Sequence, residues 1–252
     1  MVICMRRFFG GIVLAFVLTG CHSACLLEEN AEEPTPVDLA LENDKLLFCV
    51  DFSEGLFVAA KGGNVEGHYS RRGGNFSFAQ NDAGEKHLKV SGDGKDSLWF
   101  SAVGNIVKSH GRIDIAQSYS FNSSEVADEL KKKNERSKSF YLFSSVGGSE
   151  KVLLFYEVYN NSRVVLDCAL FDKGKWRYFY SPIDQNKHKP NMPFNVGCSW
   201  GNGKFRLMID GKPALEKDLD AMPLADRFFI GSVGGSKPFC GKIYSVKIYG
   251  SP

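Results

Sequence analysis

Phe194-Asn195-Val196-Gly197-Cys198-Ser199-Trp200-Gly201-Asn202-Gly203-Lys204-Phe205-Arg206-Leu207-Met208-Ile209-Asp210-Gly211-Lys212 is the stretch that decides the fold. Phe205, Leu207 and Ile209 share one parity, and Arg206, Met208 and Asp210 share the other. That is the period of a strand with one face against a core. Phe194, Val196 and Cys198 repeat the pattern upstream. Asn202-Gly203 and Asp210-Gly211 accept positive φ at low cost, so each closes a tight hairpin.

The same texture extends outward. From Lys45 onward, short apolar runs alternate with Gly, Asn, Asp and Ser. The expected strands are Leu46–Phe52, His87–Ser91, Ser97–Ser101, Arg112–Phe121, Phe140–Ser145, Val152–Tyr159, Arg163–Phe171, Trp176–Ser181, Phe194–Trp200, Phe205–Asp210, Arg227–Ile230 and Lys242–Tyr249. Asp93-Gly94 and Asp172-Lys173-Gly174 supply further turns. Ser124–Lys138 alone reads as helix, with Val126, Ala127 and Leu130 ahead of Lys131-Lys132-Lys133. A like-charge run of this kind is ordinarily solvated surface. Many short strands with one helical excursion make an all-β antiparallel sandwich.

Three further segments complete the pattern. Phe228-Phe229-Ile230-Gly231-Ser232 follows the central stretch, and Phe239-Cys240-Gly241-Lys242-Ile243-Tyr244-Ser245-Val246-Lys247-Ile248-Tyr249 closes the chain. In this order they resemble the concanavalin A-like, laminin-G-like jelly roll. In that family one strand ends in Trp near a Gly turn, and the next ends in Asp-Gly. The last strand then pairs with the first, here Leu46–Phe52. The resemblance covers residues 45–250 and is carried by 194–249. It implies a structural role for Trp200. Family members with a rim calcium site often carry an acid after the Ile of the last strand, where this chain has Tyr244. Asp51 fits a family calcium ligand, but one carboxylate is too few for a tight site.

The N-terminus reads differently. Arg6 and Arg7 precede an apolar run from Phe8 to Leu18, then Leu18-Thr19-Gly20-Cys21. A basic start, a short apolar core and small residues before a cut make a secretory signal. The run is too short to cross about 30 Å of hydrocarbon. Leu-Thr-Gly-Cys resembles the lipobox of bacterial lipoproteins. The resemblance implies that residues 1–20 are removed, that Cys21 is lipidated, and that membrane lipid is a partner through Cys21. It also implies a cell-envelope location. His22 stands where an Asp would favour inner-membrane retention, so the outer membrane is favoured in a cell with two. Residues 21–44 then form a tether. Glu28, Glu29, Glu32, Glu33, Asp38, Glu42 and Asp44 crowd it without a single Lys or Arg, and Pro34 and Pro36 interrupt it. Such a segment solvates rather than packs.

Removing residues 1–20 takes away two Arg and leaves 29 basic residues against 29 acidic ones. A balanced chain lacks the basic footprint that nucleic-acid binding needs. Cys25, Cys49, Cys168, Cys198 and Cys240 have no zinc-like or Cys-x-x-Cys spacing. Cys168 and Cys198 share parity with apolar neighbours and read as small buried hydrophobes.

Catalysis finds little support. Glucanases of this fold need two carboxylates about 5–5.5 Å apart. Their Glu-x-Asp-x-x-Glu strand is echoed only by Arg112-Ile113-Asp114-Ile115-Ala116-Gln117, where both Glu positions are lost. Nothing calls for a cofactor. The expectation is a non-enzymatic chain, with a divergent glycoside hydrolase as a minor alternative. The best candidate for binding is a short aromatic stretch. In Trp176-Arg177-Tyr178-Phe179-Tyr180, the residues Trp176, Tyr178 and Tyr180 share a face at period 2. Tyr and Trp offer an apolar face for stacking and a polar tip for hydrogen bonds. Glu157, in Tyr156-Glu157-Val158-Tyr159, is the candidate acceptor beside them. If the stripe faces inward it is simply core. Two functions follow: a surface-anchored module for glycans or adhesion, or a scaffold lipoprotein that engages a surface protein.

Overall fold

The computed structural model describes residues 45–52, 67–70, 76–81, 84–92, 95–101, 110–147, 150–172, 174–222, 224, 227–234 and 236–250. The signal, Cys21, the tether and the Asp93-Gly94 turn lie outside the described residues. The strands are β1 (Lys45–Asp51), β2 (Gly67–Ser70), β3 (Phe76–Gln80), β4 (Lys86–Ser91), β5 (Ser97–Ser101), β6 (Gly111–Tyr119), β7 (Ser137–Gly147) and β8 (Glu150–Tyr159). They continue with β9 (Val164–Asp172), β10 (Lys175–Pro182), β11 (Phe194–Gly201), β12 (Lys204–Ile209), β13 (Lys212–Asp218), β14 (Arg227–Ile230) and β15 (Cys240–Gly250). The helix is α1 (Ser123–Lys133).

Two sheets form the sandwich. One runs β13-β12-β11-β6-β15-β4-β3, and the other runs β10-β9-β8-β7-β14-β5-β2. The ladders between these strands are antiparallel. The last strand pairs with the first: Asp51 opposes Ser245 and Lys45 opposes Gly250. β4 takes the other end of the same edge of β15, from Cys240 to Ile243.

Each expected strand is present within a few residues. β2, β3 and β13 are additions. β13 has almost no buried position, and Pro213 lies inside it. It is an edge strand with no alternation to read, and an edge tolerates proline because one side of its backbone needs no partner. The hairpin dipeptides behave as their chemistry requires. Asn202 and Gly203 have φ of 50° and 74°, and Asp210 and Gly211 have 49° and 73°. Gly197 is needed for a different reason, because a Cβ there would stand 1.9 Å from the Ile113 carbonyl oxygen on β6.

The helix is shorter than the expected Ser124–Lys138. Asn122 caps its start, its side-chain oxygen accepting from the Ser124 N–H at 3.0 Å. Asn134 ends it with φ of 55°. The chain then needs only two more residues to enter β7. Val126, Ala127 and Leu130 are buried, while Lys131, Lys132 and Lys133 stay in solvent, with Lys133 paired to Glu129 at 2.6 Å.

The core lies between the sheets. Phe179 of β10 meets Phe205 of β12 at 4.5 Å between ring centroids, and Phe48 of β1 meets Phe100 of β5 at 5.1 Å. Gln117 on β6 donates to the Tyr156 hydroxyl on β8 at 2.9 Å. Cys168 and Cys198, one from each sheet, are fully buried free thiols. The neighbouring Cys198 thiol and burial push the Cys168 thiol well up, so it stays an apolar filler. Trp200 is buried, as the family resemblance implies. Trp99 is only half-buried. It faces outward from β5, between buried Leu98 and Phe100, with the Arg227 guanidinium 4.6 Å above its ring.

Candidate functional site

β10 ends the seven-stranded sheet and has β9 as its strand partner there. Its parity therefore splits cleanly between core and solvent. Phe179 and Ser181 turn inward. Trp176, Tyr178 and Tyr180 turn outward, with 41%, 58% and 53% of their surface exposed. Together they make an exposed aromatic patch on the edge strand. Trp176 and Tyr178 stack at 6.0 Å and 23°, and Phe171 of β9 meets Trp176 at 5.0 Å. From Trp176 to Tyr180 the row runs roughly 13 Å along the strand.

Register places the rest of the face. Across β9, Tyr178 opposes Ala169 and Tyr180 opposes Asp167. Across β8, Ala169 opposes Leu153, Asp167 opposes Phe155, and Val165 opposes Glu157. On β7, Tyr141 opposes Phe155 and Ser139 opposes Glu157. Tyr141, Leu153, Phe155 and Ala169 form a second apolar cluster, apart from the main core and on the outer side of this sheet. The aromatic row thus borders an apolar floor.

Two carboxyls are set into that floor, diagonal to each other across β8 and β9. Glu157 is half-buried. Its oxygens accept from the Ser137 hydroxyl at 2.6 Å and the Tyr159 hydroxyl at 2.7 Å. Burial and the bond to Glu157 push the Tyr159 hydroxyl up to about 12. Glu157 also lines a pocket of about 410 Å3 with Ser137, Lys138, Ser139, Lys237 and Pro238. Asp167 is only 4% exposed, and its Oδ1 has no hydrogen-bond partner. Burial, reinforced by the Glu157 charge, raises its carboxyl to about 7, against an opposing hydrogen bond from the Phe179 backbone. Burial likewise raises Tyr141, which also feels Glu157, Tyr178 and Asp167.

Cations rim the face. The Arg163 guanidinium lies 5.8 Å from the Tyr159 ring and 5.9 Å from Tyr180. The Lys237 ammonium lies 5.7 Å from Tyr141, and Lys151 lies 5.7 Å from Phe171. Such contacts hold aromatic rings in place and offer hydrogen-bond donors at the edge.

The structure brings together Trp176, Tyr178, Tyr180 and Glu157 on one face. It leaves the other sequence candidates elsewhere. Asp51 lies at the opposite sheet, lining a cleft of about 380 Å3 with Glu85, Lys86 and Tyr244. Among the described residues, no group of three or more His, Cys, Asp or Glu could hold a metal. The glucanase-like echo also sits on that sheet. Asp114 pairs with Arg112 at 2.8 Å, and Arg112 covers the Tyr249 ring at 4.4 Å. Sequence reasoning missed Asp167, Tyr141 and Tyr159. Asp167 has outward parity next to inward Cys168, and only the three-strand register shows that its neighbours are aromatic.

No family model matches this chain. No curated protein matches it either. Solved structures do. The chain is similar to the binding domain of botulinum neurotoxin serotype G, with 12% identity over 82% of this chain, a TM-score of 0.58, and a span of 48% of that chain, about half its length. It is similar to domain 4 of AbnA, a GH43 extracellular arabinanase from Geobacillus stearothermophilus solved with arabinotriose, with 15% identity, 82% and 92% coverage, and a TM-score of 0.56. The CBM2 module of the Lactobacillus casei BL23 phage J-1 evolved Dit gives 9% identity, 82% and 95% coverage, and a TM-score of 0.50. At these identities the likeness establishes the β-sandwich fold.

Proposed function

We propose that this chain is an envelope lipoprotein whose sandwich binds carbohydrate without cleaving it, on the outer face of the β10–β9–β8 sheet region. The observation that carries the reading is the row of Trp176, Tyr178 and Tyr180, open to solvent on an edge strand. Sugar rings present flat C–H faces that stack on such side chains, and their hydroxyls need polar partners nearby. Glu157, Ser139 and Arg163 supply acceptors and donors within the same face. The AbnA domain that shares this fold was solved with arabinotriose, and the phage neighbour is a CBM2 module. Both support the same reading.

The carboxyl pair supports binding over hydrolysis. A glycosidase acid must reach the glycosidic oxygen, and its partner must be free to attack or activate water. Asp167 is nearly inaccessible, and both oxygens of Glu157 already accept hydroxyl donors. The lipobox-like Leu18-Thr19-Gly20-Cys21 and the acidic tether would hold this face clear of the membrane. Fully extended, the 23 residues from 22 to 44 reach on the order of 75 Å.

The test is a glycan array probed with the full-length protein in detergent, beside the double variant Trp176→Ala/Tyr178→Ala. Binding to a defined set of oligosaccharides, lost in the double variant, is the expected result. A blank array, or binding that survives in the double variant, refutes this site.

A further inference from the structure

Asp167 is the one group on the face whose surroundings do not suit its charge. It lies between Tyr180 on β10 and Phe155 on β8, with Ala169 beyond it on its own strand. Its Oδ1 has no hydrogen-bond partner, and the residue is 96% removed from solvent by its 4% exposure. A neutral carboxyl tolerates such a place, whereas an ionised one needs water or more donors than the single Phe179 backbone N–H beside it. Titratable groups lie around it on β7, β8 and β10. They are Glu157 and Tyr159 from β8, Tyr178 and Tyr180 from β10, and Tyr141 from β7, with Arg163 and Lys237 held over the rings at the rim. Glu157 opposes ionisation, and neither cation is paired with Asp167.

We propose that Asp167 is a positioning residue for the aromatic row, holding Tyr180 and Tyr178 in their binding arrangement while its carboxyl is protonated and releasing them when it ionises. This inference rests on the carbohydrate reading of the same face for its binding consequence, but not for its structural one. The route is physical. The ionised carboxyl draws water, and the cross-strand neighbour with most freedom to yield is the half-exposed Tyr180 on an edge strand. Movement there disturbs Tyr178 and the stacked Trp176. The face would therefore hold its ligand in mildly acidic surroundings and let go as the medium becomes alkaline.

Two readouts on the full-length protein in detergent separate the claims. The first is the array signal on neutral oligosaccharides between pH 6 and 8. With Asp167 titrating at about 7, binding should fall about tenfold over that range, since only the competent fraction binds. Asp167→Asn, which keeps the shape and cannot ionise, should abolish the fall, and Glu157→Gln should move its midpoint to lower pH. The second is Trp176 fluorescence, taken as the difference between the protein and Trp176→Phe. It should shift over the same range in the native chain and stay constant in Asp167→Asn. A flat fluorescence profile overturns the positioning role, even if glycans bind. A blank array with a fluorescence shift that Asp167→Asn removes overturns the carbohydrate reading and keeps the positioning role. A pH-dependence that persists in Asp167→Asn assigns it to another group and overturns the proposal.

Discussion

Asp167 stands directly opposite Tyr180 across the β9–β10 ladder, a buried carboxyl paired with a residue that is more than half exposed. The pairing joins two properties that a sheet normally keeps apart. In the proposed function the exposed ring is the one that meets the ligand. The buried acid costs folding energy, because neither water nor a full set of donors replaces its solvation.

That cost is measurable as a pH dependence of stability. The folded carboxyl titrates at about 7, above its ordinary value of 3.8. Between these values the native protein keeps a proton that the unfolded chain has lost. Stability therefore falls as pH rises from about 4 to about 7, and the full penalty stands above that. Asp167→Asn should flatten this component and stabilise the protein at pH 8. The gain is on the order of 4 kcal/mol at most, from about three pH units at 1.36 kcal/mol each. Denaturant melts of both proteins at pH 5 and pH 8 measure it. Equal stability of the two at pH 8 would mean that Asp167 is solvated in the native state.

Much of the fold could be read because its signals are local. Period-2 alternation and Asn-Gly or Asp-Gly turns placed the strands around Phe205–Asp210 without any knowledge of their partners. The pairing of β1 with β15 came from the family resemblance. β13 stayed hidden because an exposed edge strand has no buried face to generate alternation. The site was half legible for the same reason. Trp176, Tyr178 and Tyr180 share one strand, so their common face follows from parity alone. Whether that face looked to core or solvent did not, since Phe179 and the Tyr pair are all aromatic and only packing on Phe205 decides. Asp167, Tyr141 and Glu157 come from three strands, and only register unites them.

Calcium should have little effect. Asp51 and Glu85 line one cleft, but Lys86 shares it and Tyr244 occupies the position where the family often places an acid. Calcium takes six to eight oxygen ligands. Millimolar calcium should change the melting temperature by no more than about a degree or two, since only a ligand bound to the native state raises stability. A large rise that disappears in Asp51→Ala would reveal a rim site.

The lipobox-like Leu18-Thr19-Gly20-Cys21 predicts a covalent anchor. Cys21→Ser should move the protein from the membrane fraction to the soluble one, because stable anchoring needs more than one acyl chain or an equivalent second signal. Intact-mass measurement of the native protein should show an N-terminal Cys21 carrying lipid. An unmodified Cys21, or an N-terminus elsewhere, contradicts the lipobox reading.

Adjacent residues of β10 should respond in opposite ways to the same truncation. Tyr178 is mostly in solvent, so Tyr178→Ala should change folding stability by no more than about 0.5 kcal/mol. It should weaken carbohydrate binding by roughly 1–3 kcal/mol, the range for an aromatic that anchors a contact surface. Phe179 is buried against Phe205, and Phe179→Ala opens a cavity costing about 3–5 kcal/mol of folding free energy. Its binding loss should follow only from the loss of folded protein, so binding per folded molecule stays near native. One denaturation series with a paired binding assay reads all four quantities. If Tyr178→Ala destabilises as strongly as Phe179→Ala, the ring is structural, and the face serves packing or a protein partner in place of a glycan.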